Sequence, residues 1–225
     1  MAGDNLLVPE QKVREYANEL AYRLGRERLA GIEDIEKQCR RSGTKYIPSK
    51  NTVSIDYLNK TYLLHVSDGS IVFANTGEDV PIKDKILILD YFTRAGGSPL
   101  SGKPITYKEL HDGLNYFSVF ASRTINQIVR YFGEHPERLA ECAAILGGRK
   151  AEPGDVSVTI DAFPRVPITV VLWRGDSEFP PEGSILFDST VSDYLSNDDI
   201  HTLCENITWS LVRFLKAGGD NPGKG

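Results

Sequence analysis

The segment GSPLSGK at residues 97–103 has the spacing G-x-x-x-x-G-K of a phosphate-binding loop. In such a loop the glycines let backbone N–H groups surround a phosphate, the lysine binds the outer phosphates, and a following hydroxyl binds magnesium. Here the next residue is Pro104, which has neither a hydroxyl nor an N–H group to donate. The segment also follows a predicted helix rather than a strand. The pattern therefore favours a connector with a solvated Lys103, and anion binding by this loop stays an open alternative.

A second candidate is the acidic turn RGDSEFPPE at residues 174–182. Asp176 and Glu178 stand at alternate positions, and Asp188 follows, so their oxygens could hold calcium or magnesium. The two prolines at 180 and 181 stiffen the turn, and its spacing fits no EF-hand loop. Two interpretations remain, a divalent-metal site and a rigid turn between strands. Rigid loops positioned by strands often carry binding sites.

Two aromatic residues flank this turn. Trp173 ends an apolar segment and Phe179 lies within the turn. Such a pair could line a pocket for a flat ligand, or it could pack in the core.

Histidines and cysteines give no metal or nucleophile signature. The 4 histidines are scattered, and neither H-E-x-x-H nor G-x-S-x-G occurs. The 3 cysteines, Cys39, Cys142 and Cys204, lie far apart, which argues against a disulfide framework. The same spacing argues against an iron–sulfur or zinc site built from this chain alone. Cys142 and Cys204 are predicted to be small buried residues of helices.

Composition narrows the function classes. The chain has 225 residues, of which 40% are hydrophobic, enough for a substantial core. The net charge is −5 and no basic block is present, which disfavours nucleic acid as a partner. No segment approaches the roughly 18 apolar residues of a membrane span, and the N-terminus lacks the pattern of a signal peptide. A cytoplasmic protein without membrane contact is expected.

The elements that must position these residues follow from the hydrophobic period. Helical spacing predicts six helices, at about residues 9–28, 32–41, 82–97, 117–132, 136–146 and 196–215. Alternation predicts strands at 52–57 and 156–160, and a nearly continuous apolar run predicts one at 168–173. Further strands are predicted at 61–66, at 71–73 after the hairpin signal Asp68-Gly69, and at 184–188. The run ILILDYF at 86–92 could alternatively be a buried strand. Thr106 and Glu109 form a capping box before a short helical turn.

The order of elements predicts the fold class. Helices, hairpin strands, helices, strands and a last helix follow one another without regular βαβ alternation, so α+β is favoured over a doubly wound sheet. We expect an N-terminal meander and C-terminal strands, both antiparallel, packed with about six helices. Residues 1–217 are predicted to form a single domain and residues 218–225 a flexible tail.

Several segments carry a likeness to a known family. The longest runs from VLWRGDSEFPP at 171–181 into ILFD at 185–188, and others are GSPLSGK at 97–103, FG at 132–133, LGG at 146–148 and PRVP at 164–167. Together they extend from residue 97 to residue 188. The sequence resembles the family described as domain of unknown function DUF3786.

The resemblance implies a metabolic context for the protein but no particular reaction. The family is characteristic of anaerobic bacteria and archaea, and some members carry an additional cysteine-rich iron–sulfur segment like that of corrinoid iron–sulfur proteins. This chain lacks that segment, so cluster binding is not carried over, and it also lacks the D-x-H-x-x-G pattern of a usual corrinoid domain. The family context points to a cofactor, a corrinoid or another tetrapyrrole, in anaerobic one-carbon metabolism.

Three hypotheses about function follow. The first is a cofactor-binding protein, in which basic, acidic and aromatic residues contact the ligand. The residues expected to do so are Lys103, Arg123, Arg165, Trp173, Arg174, Asp176 and Phe179. The second is a metal-dependent enzyme that uses Asp176, Glu178 and Asp188. The third is an accessory protein whose apolar surface docks a protein partner.

Overall fold

The structure, a computed structural model, describes residues 9–219, with side chains over residues 12–218. Within this range there are seven α-helices and two antiparallel sheets, which confirms the predicted α+β class. The helices are α1 Pro9–Ala30, α2 Ile35–Ser42, α3 Ile82–Arg94, α4 Gly113–Arg123, α5 Ile125–Phe132, α6 Glu137–Ile145 and α7 Asn197–Gly219. The tail predicted from residue 218 begins inside α7, and residues 220–225 lie outside the described residues.

The first sheet is the predicted N-terminal meander. Its strands are β1 Lys45–Ile47, β2 Thr52–Tyr57, β3 Lys60–His65 and β4 Ile71–Phe73, in the order β1-β2-β3-β4 with antiparallel neighbours. Strands β2, β3 and β4 were predicted. Strand β1 was not predicted, because its three residues show no period of two and no hairpin signal precedes it.

The second sheet contains the predicted C-terminal strands. Its members are β5 Pro104–Thr106, β6 Arg149–Lys150, β7 Val156–Phe163, β8 Val166–Trp173 and β9 Glu182–Asp188, in the order β5-β9-β8-β7-β6. All neighbouring pairs are antiparallel. The two edge strands β5 and β6 were not predicted, since they are short. Strand β5 begins with a proline, which an edge strand tolerates.

Aromatic stacking joins the two sheets. The rings of Tyr57 in β2 and Tyr91 in α3 stack on Phe163 of β7, with centroids 4.8 and 4.1 Å away. The backbone N–H of Leu58 donates to the carbonyl of Ala162 at 3.1 Å. Buried residues of both sheets and of the helices therefore form one continuous hydrophobic cluster. The free cysteines Cys39, Cys142 and Cys204 are all buried, as predicted for the last two.

The helical segment predicted over residues 117–132 is two helices. It breaks at Thr124, whose φ of −125° and ψ of −81° are not helical. The hydroxyl of this fully buried threonine donates to the carbonyl of Phe120 at 2.7 Å, and its backbone N–H donates to the same carbonyl at 3.0 Å. Arg123 consequently ends α4.

Helix α3 contains the run ILILDYF, so its alternative interpretation as a strand is wrong. Every residue from Leu87 to Phe92 is buried, which explains the nearly continuous apolar sequence. Asp90 is the one charged residue in that stretch, and it too is buried. A buried carboxylate requires partners, and the neighbouring helices provide them.

Helices α1 and α3 run in parallel and touch closely. A Cβ atom on Gly25 would lie 3.2 Å from Cδ1 of Leu89, so a glycine at this position allows the approach. The Lys85 ammonium lies over the ring of Tyr22, and Arg28 lies beside Thr93. Because α1 has 22 residues and α3 has 13, the first turns of α1 extend about 15 Å beyond the start of α3. None of the described helices combines the length and apolarity needed to cross a membrane.

The loop that resembles a phosphate loop surrounds an anion from its own chain. The backbone N–H groups of Ser101 and Gly102 donate to the carboxylate of Asp188 at 3.1 and 2.7 Å. The hydroxyls of Ser101 and Thr190 donate to the same carboxylate at 2.9 and 2.7 Å. Partial burial opposes ionisation, but these hydrogen bonds outweigh it and lower the pKa of Asp188 to about 2. The spacing that binds phosphate elsewhere here fixes the connection from α3 to β5.

A second carboxylate fixes the start of the same loop. The N–H of Ser98 donates to the side chain of Asp193 at 3.0 Å, and the N–H of Gly96 donates to the backbone carbonyl of Asp193 at 3.0 Å. A Cβ atom on Gly96 would lie 2.3 Å from an oxygen of that carboxylate, so only glycine fits. The loop after α3 is thereby joined to the segment before α7, which fixes the spacing of these two helices.

Asp188→Asn is expected to lower the free energy of unfolding by about 1–2 kcal/mol at neutral pH, because an amide accepts fewer of these hydrogen bonds. Since the pKa of Asp188 is depressed in the folded state, its contribution is present above about pH 4 and is lost as pH falls toward about 2. Urea unfolding at neutral and acid pH measures both effects. Glu178→Gln, at an exposed carboxylate, is the control, and an equal loss in both variants would contradict the assignment.

Candidate functional site

A cleft of about 750 Å³ lies between α1, α3 and α7, and we refer to it as the α1–α3–α7 cleft. Helix α3 contributes Lys83, Ile86, Leu87, Asp90 and Arg94; α7 contributes Asp198, Asp199, Thr202, Glu205, Asn206 and Trp209; α1 contributes Arg14, Asn18 and Ala21; and Ser196 and Arg123 complete the lining. Most of these side chains are polar or charged. A concave surface of this size with convergent polar groups is the usual form of a small-molecule site.

The two long walls of this cleft are antiparallel helices. At one end the amide of Asn206 in α7 donates to the carboxyl of Asp84 in α3 at 3.2 Å. At the other end Asp199 of α7 meets Asp90 of α3. The two contacts are about 9 Å apart along α3, given a rise of 1.5 Å per residue. The cleft therefore has two distinct polar ends.

Asp90 and Asp199 form a buried carboxyl pair at the end of the cleft where α7 begins. Their exposed fractions are 8% and 7%, and both line the cleft. Burial first, and then the negative charge of Asp199, raise the pKa of Asp90 to about 6, against the opposing effect of Arg28 and Arg94. Both carboxyl groups face the same cleft, and the charge of Asp199 opposes ionisation of Asp90.

Each member of this pair is fixed by a second contact. Arg28 of α1 forms an ion pair with Asp90. Asp199 accepts hydrogen bonds from the hydroxyl and the N–H of Ser196, at 2.6 and 3.0 Å, so it also caps the start of α7 as the sequence predicts. The carboxyl pair is consequently positioned by three helices at once.

Several cations line the cleft without a close anionic partner. Among the described residues, no carboxylate oxygen lies within 4.0 Å of the charged nitrogens of Arg14, Lys83 or Arg94. Arg123 reaches Glu205 only at 4.0 Å. Side chains of this kind are available to bind the acidic groups of a ligand.

Trp209 is the aromatic residue of the cleft. Its side chain is 44% exposed, and its ring contacts Tyr131 edge-on with centroids 6.5 Å apart. One part of the indole is therefore supported by the protein while another part faces the cleft. An exposed, supported indole can stack on a planar ligand.

The second polar end is a hydrogen-bonded group of three side chains. The amide of Asn206 donates to the hydroxyl of Tyr57 at 3.1 Å as well as to Asp84, and Tyr57 itself lies 3.4 Å from Asp84. Burial raises the pKa of both the Tyr57 hydroxyl and the Asp84 carboxyl. This group joins α3, α7 and the first sheet.

The residues predicted around Trp173 lie at one end of the second sheet, away from this cleft. Arg174 pairs with Glu137 at 3.5 Å. The carboxylate of Asp176 accepts the N–H groups of Glu178 and Phe179, both at 2.8 Å, which lowers the pKa of Asp176. The segment is thus a self-contained turn, and Phe179 is 66% exposed on it.

Three other predicted residues lie at the opposite end of that sheet. Arg165 precedes β8 while Trp173 ends it, a separation of about 23 Å along the strand. Asp188 is separated from Asp176 by the length of β9. Its carboxylate accepts hydrogen bonds from the loop that contains Lys103. Among the side chains that the structure describes, no group of three or more His, Cys, Asp and Glu residues converges as a metal site would require.

Of the predicted contact residues, Arg123 alone lines the α1–α3–α7 cleft. The cleft was not found from the sequence because its walls are far apart along the chain, Asp90 and Asp199 being more than a hundred residues from each other. One signal was present, a lone aspartate inside the apolar run ILILDYF. A charge in such a run indicates a buried partner or a site.

Fold and cleft together define an α+β protein with a polar interhelical site. The model of the family described as domain of unknown function (DUF3786) matches residues 34–209. The chain belongs to this family. No curated protein and no solved structure matches it. The match contains the α3 and α7 walls of the cleft, whereas α1 lies before it.

Asp90→Asn is expected to remove a pH dependence of stability. Because the pKa of Asp90 is raised in the folded state, folding favours the protonated carboxyl, and stability falls as pH rises from about 4 to about 6. The fall attributable to Asp90 is on the order of 2 kcal/mol. Urea unfolding of both proteins across this range measures it as the difference between two curves, and superimposable slopes would argue against a shared proton.

Proposed function

We propose that this protein binds a small molecule that carries acidic groups, and that the ligand occupies the α1–α3–α7 cleft. The observation that supports the proposal is a cleft of about 750 Å³ lined by Arg14, Lys83 and Arg94. Among the described residues, no carboxylate oxygen lies within the 4.0 Å ion-pair distance of their charged nitrogens. Ligand sites commonly have volumes of about 300–1,000 Å³. Unpaired cations in a partly enclosed space favour an anionic ligand.

The nature of the lining favours a planar ligand. Trp209 offers an exposed indole face at one end, and cations stand on three helices around it. A corrinoid or another tetrapyrrole combines a large ring with peripheral acid or amide groups, which is the chemistry that such a lining recognises. We propose this ligand class, and with it a cytoplasmic role in anaerobic one-carbon metabolism.

The metal-dependent enzyme receives less support from the geometry. Its residues, Asp176, Glu178 and Asp188, are divided between the two ends of β9, and the Asp188 carboxylate is engaged by the loop after α3. Oxygen ligands of one calcium or magnesium ion must all lie about 2.0–2.6 Å from it. Ligand binding in the cleft is therefore the function that we favour.

A planar anionic probe tests binding directly. Naphthalene trisulfonate keeps its charges at all ordinary pH values, and Trp173→Phe leaves Trp209 as the single tryptophan reporter. We expect saturable quenching of Trp209 fluorescence. Lys83→Gln and Arg94→Gln should each weaken binding about tenfold, which corresponds to about 1.4 kcal/mol.

Arg174→Gln is the matched control, because it removes a cation at the end of the second sheet, outside the cleft. It should leave the affinity for naphthalene trisulfonate unchanged. Absence of saturable quenching, or equal weakening by the control and the cleft variants, would count against the cleft as the site.

The ligand class is tested separately with cobalamin and with a porphyrin that bears carboxylates. We expect one of them to co-elute with the protein in gel filtration and to change its absorption spectrum, and Lys83→Gln and Arg94→Gln to reduce the bound fraction. If the trisulfonate binds but neither ring compound does, the ligand is an acid of another class and the tetrapyrrole proposal is wrong.

A further inference from the structure

We propose that binding of an anion in the α1–α3–α7 cleft is coupled to the uptake of one proton, which Asp90 and Asp199 then share. This inference rests on the proposed function, since it concerns the same site and the same class of ligand. It goes further in stating how the site is regulated: the affinity for an acidic ligand rises as the pH falls.

The carboxyl pair lies in the wall of the cleft. Asp90 and Asp199 line the cleft, so a ligand in the cleft comes close to both of them. Both are more than nine-tenths buried, and each has a fixed partner on its outer side, Arg28 for Asp90 and Ser196 for Asp199. These contacts restrain the position of each carboxyl group in the wall of the cleft.

Arg94 acts on Asp90 and also lines the cleft. It follows Asp90 by one helical turn, where its charge helps to keep the Asp90 carboxyl ionised. It also lines the cleft, with no carboxylate within ion-pair distance among the described residues. An anion that binds Arg94 withdraws this stabilising charge from Asp90 and adds a negative charge beside it. Both changes favour protonation of the pair.

The proton balance is simple. One proton passes from solvent to a carboxylate of the pair and forms a hydrogen bond to the other carboxylate, with no other bond made or broken. That hydrogen bond joins α3 to α7 across the end of the cleft. Binding thus replaces repulsion between two carboxylates with an attractive contact between two walls of the site.

Other charged or titratable groups lie along the cleft or on the helices beside it. Their effects on binding must be distinguished from those of the carboxyl pair. These groups are Arg28 and Arg14 from α1, Lys83 and Arg94 from α3, Arg123 from α4, and Asp198, Glu205 and His201 from α7. Of these, His201 is the group that could imitate the effect, because protonation of an imidazole also attracts anions. It packs against Tyr107 and Phe120 behind the cleft, and burial lowers its pKa.

The test is a titration with naphthalene trisulfonate, whose own charge does not change with pH. In the Trp173→Phe protein we expect binding to be about tenfold tighter at about pH 6 than at about pH 8. Calorimetry in two buffers of different ionisation enthalpy should show net proton uptake near pH 7. This second measurement needs no change in the carboxyl pair.

Asp90→Asn supplies the decisive comparison. An amide cannot ionise, so this variant should bind the probe with nearly the same affinity at both pH values and without proton uptake. His201→Gln is the matched control and should keep the full pH dependence. A dependence that survives Asp90→Asn, or that disappears in His201→Gln, overturns the inference.

The remaining outcomes separate this inference from the proposed function. If the probe binds and the cleft variants weaken it, but affinity and proton count do not change with pH, the proton coupling is wrong and the binding site stands. Tighter binding at high pH would also overturn the coupling. If no binding occurs at any pH, the proposed function fails and the coupling fails with it.

Discussion

A single buried carboxylate constrains the arrangement of α1, α3 and α7, the three longest of the described helices. Asp90 lies within an otherwise apolar, fully covered stretch of α3, where an ionised group without partners would be very unfavourable. Arg28 supplies a positive charge from α1, and Asp199 of α7 faces the same cleft. The positions of α1 and α7 on either side of α3, and so the cleft between them, depend on satisfying Asp90.

Two aspartates of this fold have pKa values shifted in opposite directions, because their surroundings differ. Asp188 is surrounded by N–H and O–H donors from the loop after α3, and its pKa falls. Asp90 faces burial and another carboxylate, and its pKa rises. The first is a structural anion that takes the place of the phosphate for which the loop spacing is known. The second lines the α1–α3–α7 cleft on α3, whereas the first is enclosed by the loop.

Local patterns predicted the elements well, because each depends on neighbours in the chain. The alternation in β2 and β3, the capping boxes at Thr106 and Ser196 and the helical period of α7 are all decided within a few residues. The failures were short edge strands and the break at Thr124, a fully buried residue whose φ and ψ are not helical. The predicted site residues around Trp173 belong to one conspicuous block of sequence, and that block does not line the cleft that contains Arg123.

By itself the sequence determined the α+β class, the family and the antiparallel sheets, since composition, hydrophobic period and turn chemistry act over short distances. It also contained the anomaly of an aspartate in an apolar helix. Only the tertiary structure decided what that aspartate meets. Asp90 and Asp199 are brought together by the packing of α3 against α7, and no pattern within either helix encodes a contact across more than a hundred residues. Pairing over such distances is fixed by the whole core, so the cleft is a property of the folded chain.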